Sequence, residues 1–147
     1  MKYFISGHID ATREDFGRYA VEITHIIGCK NDKKCEFLVG DCDGIDKIAM
    51  DHIYSLFISL PKTLSYKPEA KLTIYHMYDK PRNTPFEMSV EELEEEGIKF
   101  VGGFKSDEER DAAMTRDSDF DIAFVKDNKW DSGTAKNIKR RHQYEYL

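Results

Sequence analysis

Two hydrophobic periods alternate along this chain and divide it into strands and helices. Short runs rich in adjacent apolar residues, typical of buried strands, occupy 3–6, 36–39, 71–76 and 121–125. Apolar residues spaced three or four apart, typical of one helix face, follow the first two runs, over 12–28 and 45–60. Helices are also predicted over 106–117 and from 131 onwards. The alternation predicts an α/β fold, a parallel sheet with helices on both faces.

Capping residues mark where the predicted helices begin and end. Thr12 and Asp15 are spaced as in a capping box, and Gly28 is a natural C-cap. Pro61 ends the second helix because it has no backbone N–H to continue it. Ser106, with an acidic residue three positions later, opens the third helix in the same way.

The region 78–105 shows neither period clearly. It contains two prolines, the acidic run 91–96 and a pair of adjacent glycines. A connection of this length in a compact domain is usually a lid, a binding loop or a disordered segment. We therefore predict a lid or long loop here.

Composition limits the class of protein. The chain has 147 residues, 40% of them hydrophobic, which is enough for one domain with a full core over residues 1–147. A net charge of −6 argues against a large nucleic-acid surface, which needs a basic face. No apolar run is long enough to cross a membrane. The three cysteines lack zinc-ligand spacing and are typical of reduced thiols, so we predict a cytoplasmic protein.

Polar and glycine-containing loops follow the predicted strands at their carboxyl ends. In a parallel sheet these ends lie together, and ligands bind beyond them. The loops are 7–10, 40–44, 75–77 and, after the last strand, 131–134. We expect the ligand site there, among the following residues: Gly7, His8, Asp10, Gly40, Asp41, Gly44, Asp46, Asp131, Ser132, Gly133 and Thr134.

The start of the last helix is a candidate anion site. Gly133 lies between two hydroxyl residues, Ser132 and Thr134. Backbone N–H groups at a helix start point at a bound anion, and the helix dipole favours negative charge there. The alternative is an ordinary helix start with Ser132 as its cap. Lys136 opposes the dipole in the first turn, and a nearby anion would remove that conflict.

Two short motifs resemble those of a known superfamily. The segment 40–46, Gly-Asp-Cys-Asp-Gly-Ile-Asp, resembles the Gly-x-x-x-Gly-Ile-Asp turn of the SLOG superfamily, which includes the cytokinin-activating phosphoribohydrolases of the LOG type and DprA-like proteins. The segment 131–134, Asp-Ser-Gly-Thr, is similar to the Gly-Thr phosphate loop of that group and to the Asp-x-Gly-Thr segment of nucleoside 2-deoxyribosyltransferases. The resemblance implies a single Rossmann-like domain, a nucleotide- or nucleoside-derived ligand and a homodimer.

The resemblance also implies cleavage of an N-glycosidic bond, with one departure. In both catalytic groups a Glu follows the Gly-Thr pair by three residues and acts on the sugar. Here that position is Asn137. An amide can be neither the nucleophile nor a general base. Either another acid supplies the chemistry or the chemistry is absent.

Several residues are candidates for the missing roles. Asp41 or Asp10 would replace the Glu, and His8 would bond a ribose hydroxyl or act as a general acid, unless it is a loop histidine bonded to backbone. Asp46 would touch the ligand or simply favour the start of its helix. Arg110, after the predicted lid, would hold a phosphate or form ordinary ion pairs.

The sequence thus predicts a protein that binds a nucleotide or nucleoside derivative and cleaves or transfers at its N-glycosidic bond. The alternative, favoured by Asn137, is a non-catalytic sensor or sequestering protein for a nucleotide-derived signal. The five histidines show no His-x₃-His pair and no cluster with cysteine, so we expect neither a metal nor a cofactor.

Overall fold

Five parallel strands form one sheet in the computed structural model, which describes residues 1–28, 34–58, 70–126 and 129–145. The strands are β1 (Lys2–Ser6), β2 (Glu36–Gly40), β3 (Lys71–Met77), β4 (Lys99–Phe104) and β5 (Phe120–Ala123). Their order across the sheet is β4-β3-β2-β1-β5. β1 therefore pairs with β2 on one side and β5 on the other, with Ile5 opposite Val39 and Ile122.

In the described part of the chain, five α-helices connect or follow the strands. They are α1 (Gly17–Gly28), α2 (Ile45–Ile53), α3 (Val90–Glu95), α4 (Asp107–Asp117) and α5 (Gly133–Glu145). α2 continues as a π-helical turn over Tyr54–Ile58, and a short 3₁₀ turn covers Pro85–Glu87. No helix in the described ranges is long and apolar enough to cross a membrane.

Side chains that alternate along each strand build a core on both faces of the sheet. Tyr3 and Ile5 of β1 belong to the larger core, under α1 and α2, whereas Phe4 packs with Ala113 and Met114 of α4. The crossovers from β1 to β4 run in one direction and the crossover to β5 runs back. Because such crossovers are right-handed, α4 lies on the opposite face from α1 and α2. The predicted α/β fold, with a parallel sheet and helices on both faces, is confirmed.

The predicted long loop over 78–105 is wrong for much of its length. This region contains the 3₁₀ turn, α3 and β4, and β4 pairs with β3 in parallel, with Thr73 opposite Lys99. β4 is an edge strand and mostly solvent-exposed, so it lacks the apolar run that marks a buried strand. α3 has six residues and buries only Leu93, too few for a helical period to be visible. A lid movement in this region stays a prediction.

Most helix boundaries follow the capping signals. Ser106 Oγ accepts a hydrogen bond from Glu109 N at 3.1 Å, as the capping box predicts. Thr12 N donates to Asp15 Oδ2 at 2.8 Å, but turns follow and α1 begins only at Gly17. Pro61, the predicted end of α2, lies outside the described residues.

The topology creates a crevice at the carboxyl ends of β1 and β5. These two strands are neighbours, but the chain leaves β1 toward α1 on one face and β5 toward α5, which packs with α4, on the other. Loops that diverge in this way leave an opening above the sheet, where ligands bind in open α/β folds. The fold thus brings the loop after β1 and the start of α5 to the same place.

Candidate functional site

A cleft of about 510 Å³ occupies this crevice. Four segments line it: the end of β1 with residues 7–10, the start of α2, the first turns of α4, and the start of α5. The volume is in the range of roughly 300–1,000 Å³ that small-molecule sites occupy. The predicted location of the site, at the carboxyl ends of the strands, matches this cleft.

Two of the predicted ligand-binding glycines pack the walls of the cleft together, and one of them, Gly7, also lines it. A Cβ on Gly44 would lie 2.2 Å from the carbonyl oxygen of His8, and the φ of Gly44 is +74°. A Cβ on Gly7 would lie 2.4 Å from Cγ1 of Ile45. Only glycine fits either position, because the loop after β1 lies directly against the start of α2. These residues shape the cleft.

Arg110 is the centre of a network of carboxylates. Its side chain is 5% exposed, and Nη1 donates to Asp41 Oδ1 at 2.8 Å. Nε and Nη2 both donate to Asp111 Oδ1, at 3.2 and 2.9 Å. Nη1 also lies 3.1 Å from Asp107 Oδ1, and Nη2 lies 3.9 Å from Asp46 Oδ2. Arg110 lines the cleft, but most of its N–H donors already bind carboxylates, so few could bind a phosphate.

Gly40 makes room for this network. A Cβ at residue 40 would lie 2.6 Å from Asp46 Oδ2 and 2.8 Å from Cζ of Arg110. The predicted importance of Gly40 therefore has a physical cause other than ligand contact. A larger side chain would displace the guanidinium from the carboxylates that surround it.

Asp41 does not line the cleft. It is 0% exposed, and besides Arg110 it binds Arg82, which donates from its backbone N to Oδ2 at 2.8 Å and from Nη2 to Oδ1 at 2.9 Å. Burial by itself would raise the pKa of Asp41, but the hydrogen bonds and charge of Arg82 outweigh it and the pKa is lowered. A buried carboxylate held by two arginines is a structural ion pair. The structure therefore does not place this predicted catalytic residue on the wall of the cleft.

Asp46 does line the cleft and is otherwise buried. It lies in the first turn of α2, is 6% exposed, and accepts a hydrogen bond from Cys42 N at 3.2 Å. Burial raises the pKa of Asp46 to about 7, against the opposing effect of Arg110. Burial also raises the pKa of the Cys42 thiol to about 11, with help from the charge of Asp46, so Cys42 is not a thiolate nucleophile.

Asn137 lies at the position where the motifs that the sequence resembles have a Glu. Its side chain holds a carboxylate in place. Its Nδ2 donates to Asp111 Oδ2 at 3.1 Å, and its Oδ1 accepts from Arg140 Nη1 at 2.7 Å. Asp111 faces the cleft between Arg110 and Asn137. The sequence pattern predicts no role for Asp111. Asp111 is hard to identify from the sequence, because it lies one residue from Arg110 and therefore off the helix face of that residue.

The start of α5 opens on the cleft. Ser132 Oγ accepts a hydrogen bond from Ala135 N at 3.2 Å, the ordinary capping contact. Within the described part of the chain, the N–H groups of Gly133 and Thr134 have no hydrogen-bond partner. All three residues line the cleft, whereas Asp131 is exposed and does not. Two backbone donors are thus available to a ligand.

Ser6, the last residue of β1, lines the cleft and has a buried hydroxyl without a hydrogen-bond partner in the described ranges. It is 5% exposed, lines the cleft, and its Oγ makes no hydrogen bond to any residue of the described ranges. Its backbone oxygen accepts from the Tyr19 hydroxyl at 2.8 Å, and this hydroxyl accepts from Phe124 N at 3.2 Å. A buried hydroxyl without a partner is uncommon and is satisfied when a ligand supplies one.

His8 is neutral and bonded to backbone. Its Nε2 accepts a hydrogen bond from Lys126 N at 3.0 Å, which leaves the proton on Nδ1. Burial, together with the charge of Lys129, lowers the pKa of His8. A neutral imidazole with a depressed pKa can donate a hydrogen bond to a ligand, but it is a poor general acid at neutral pH.

Asp10 lies at the exposed rim. Its Oδ2 accepts from Lys129 Nζ at 2.7 Å, and this hydrogen bond lowers the pKa of Asp10. Among the described residues, the cleft wall carries four aspartates and two cationic side chains, Arg110 and Lys129, so its charge is negative overall. No group of three or more metal-ligating side chains in the described ranges is arranged to hold a metal ion.

Comparison of the chain with protein-family models, curated proteins and solved structures finds no match. The fold and the site define a Rossmann-like α/β domain with a polar, mainly acidic cleft at the carboxyl ends of its strands. The similarity to the SLOG superfamily rests on the motifs at 40–46 and 131–134 and stays a prediction.

Proposed function

We propose that the protein binds a nucleoside or a nucleoside monophosphate in the cleft and cleaves or transfers at its N-glycosidic bond. The observation that carries this proposal is that, in the described part of the chain, free backbone N–H groups and carboxyl groups line the same cleft. The N–H groups of Gly133 and Thr134 suit an anion or a sugar hydroxyl, and carboxyl groups of α2 and α4 line the same space.

The charge of the cleft supports a ligand with few phosphates. Its four aspartates outnumber its cationic side chains among the described residues, and Arg110 is committed to carboxylates. A triphosphate would meet repulsion on most sides, whereas one phosphate at the start of α5 would not. A neutral nucleoside would also be accepted, with His8 and the N–H groups of Gly133 and Thr134 available to its hydroxyls.

Asp111 is the best-placed carboxylate for the chemistry. N-glycosidic cleavage proceeds through an oxocarbenium-like transition state, which a nearby fixed negative charge stabilises. Asp111 lines the cleft and is held by Arg110 at 2.9 Å and by Asn137 at 3.1 Å, so it is preorganised. Asp41 is buried away from the cleft, and Asp10 is paired with Lys129 at the rim.

Incubation with a panel of nucleoside monophosphates, nucleosides and deoxynucleosides, followed by separation of free base, tests the proposal. We expect release of base from at least one panel member. Asp111→Asn should lower that release by about a hundredfold or more, the usual cost of losing a catalytic carboxylate, with ligand affinity largely kept. Asp117→Asn, outside the cleft on the same helix, is the control. A wild type that releases no base from any member contradicts the proposal.

The alternative is a sensor or sequestering protein for a nucleotide-derived signal. The hydrogen bonds of Asp111 favour this alternative, because its Oδ1 already accepts from Arg110 and its Oδ2 from Asn137. Fully hydrogen-bonded carboxylates are typical of rigid binding walls as well as of catalytic sites. In that case calorimetry would detect tight binding of a panel member that is recovered intact, and Asp111→Asn would alter affinity instead of turnover.

A further inference from the structure

Most carboxyl groups of the cleft are already engaged by cations or amides. Asp10 Oδ2 lies 2.7 Å from Lys129 Nζ, and Asp107 Oδ1 lies 2.5 Å from Arg82 Nη2. Both oxygens of Asp111 accept hydrogen bonds, as described above. The hydrogen bond from Lys129 lowers the pKa of Asp10, and the hydrogen bond from Arg82 lowers the pKa of Asp107. They can stabilise positive charge, but they are poor proton donors.

Asp46 differs from all of these. Its Oδ2 accepts from Cys42 N at 3.2 Å and lies 3.9 Å from Arg110 Nη2, beyond hydrogen-bond distance. Its Oδ1 has no hydrogen-bond partner anywhere in the ranges that the structure describes, although the residue is 6% exposed and lines the cleft. Asp46 therefore presents a carboxyl oxygen to the ligand space from a buried position.

We propose that Asp46 is the general acid that protonates the departing nitrogenous base. This role rests on the proposed function. The bond between C1′ of the sugar and the base nitrogen breaks, its electron pair stays on the nitrogen, and the Asp46 proton neutralises that nitrogen. Water then adds to C1′ and loses a proton to solvent, from which Asp46 is protonated again. Asp111, held by Arg110 and Asn137, stabilises the sugar cation.

The surroundings of Asp46 raise its pKa to about 7, so part of the population carries the proton at neutral pH. Burial is the largest influence and raises the pKa, while Arg110 opposes it. The carboxylates of Asp111 on α4 and Asp41 before α2 raise it further. Tyr19 faces Asp46 from α1 and stays protonated, because burial raises its own pKa to about 12. A general acid works best with a pKa near the working pH.

Asp46→Asn tests the role with little change of shape, since the amide oxygen can still accept from Cys42 N. Asp43→Asn is the matched control, because Asp43 is exposed, lies three positions away and does not line the cleft. Each variant is assayed with the best substrate from the panel and with 4-nitrophenyl β-D-riboside. Nitrophenolate leaves as a stable anion and needs no proton. Melting curves confirm that the variants are folded.

We expect Asp46→Asn to lose about a hundredfold or more of base release, while release of nitrophenolate stays within a few-fold of wild type. In the wild type, base release should fall tenfold per pH unit above about pH 7, as Asp46 loses its proton. This descending limb should be missing in Asp46→Asn. The carboxyl ¹³C signal that Asp46→Asn removes should titrate near pH 7.

The outcomes separate this inference from the proposed function. Full base release by Asp46→Asn, or an equal loss with both leaving groups, overturns the acid role and leaves the glycosidic activity standing. A ¹³C titration at the ordinary aspartate value also overturns it. A wild type that releases neither base nor nitrophenolate removes the proposed function and the acid role together.

Discussion

Arg82 and Arg110 bind most of the carboxylates around the cleft, and this sharing sets the role of each residue. The sequence predicts Asp41 near the ligand, because it follows a strand end. In the structure Asp41 binds both arginines. The contact between Asp41 and Arg110 joins residues 69 positions apart. No local pattern predicts such a pair. The sequence therefore predicted the edge of the sheet where the cleft lies, but could not tell which of the acids there are already partnered.

Asp41→Asn should destabilise the protein rather than act on turnover alone. The substitution removes the charge of a buried carboxylate that binds both arginines and weakens their hydrogen bonds, so we expect the free energy of unfolding at pH 7 to fall by about 1–3 kcal/mol. The lowered pKa of Asp41 means that its stabilisation is present above the unfolded-state value and is lost as the pH falls through the folded-state value. The difference from wild type should therefore shrink toward acid pH.

Urea unfolding at pH 7 and at acid pH measures this effect. Asp43→Asn, an exposed neighbour, should change the free energy of unfolding by only about 0.5 kcal/mol or less. A loss for Asp41→Asn that is small, or that is the same at both pH values, would show that the ion pair does not stabilise the fold.

At the scale of secondary-structure elements, burial decided what the sequence could predict. β1, β2 and β3 are covered on both faces, so their apolar runs are clear. β4 is an exposed edge strand that includes Gly102 and Gly103, and its sequence shows no clear strand period. Gly102 is required by packing, since a Cβ there would lie 2.1 Å from Cε1 of His76. That constraint comes from the neighbouring strand and leaves no trace in the local pattern.

The start of α5 offers a test of the anion site that leaves the fold intact. A Cβ on Gly133 would meet nothing within 4 Å, so Gly133→Val should fold normally. The side chain would block close approach of a ligand, and we expect affinity for a nucleoside monophosphate to fall by about 1–3 kcal/mol in calorimetry.

Gly17→Val is the matched control for Gly133→Val. Gly17 is the first residue of α1, a Cβ there also meets nothing within 4 Å, and it does not line the cleft. Its affinity should equal that of wild type. If Gly133→Val binds as tightly as Gly17→Val, the start of α5 does not hold the ligand.

At the scale of the whole molecule, hydrogen exchange distinguishes a lid from a fixed wall. β4 is hydrogen-bonded to β3, and Tyr78 N donates to Phe104 O at 2.9 Å. We expect the paired β4 amides to be protected without ligand. Protection that appears on ligand binding should be concentrated at 7–10 and 132–134. If β4 gains most of the protection, the region 78–105 closes as the lid that the sequence predicted.

The Tyr19 hydroxyl has a consequence for how the cleft comes to exist. The β1–β5 pairing ends with Ser6 opposite Ala123, and the next connection between the strands is the phenol, which donates to Ser6 O and accepts from Phe124 N. One oxygen atom stands where a direct backbone hydrogen bond would continue the ladder. At that level the phenol oxygen lies between the two strands and links them through two hydrogen bonds. The width at the base of the crevice is thus set by a side chain of α1, whether or not a ligand is bound.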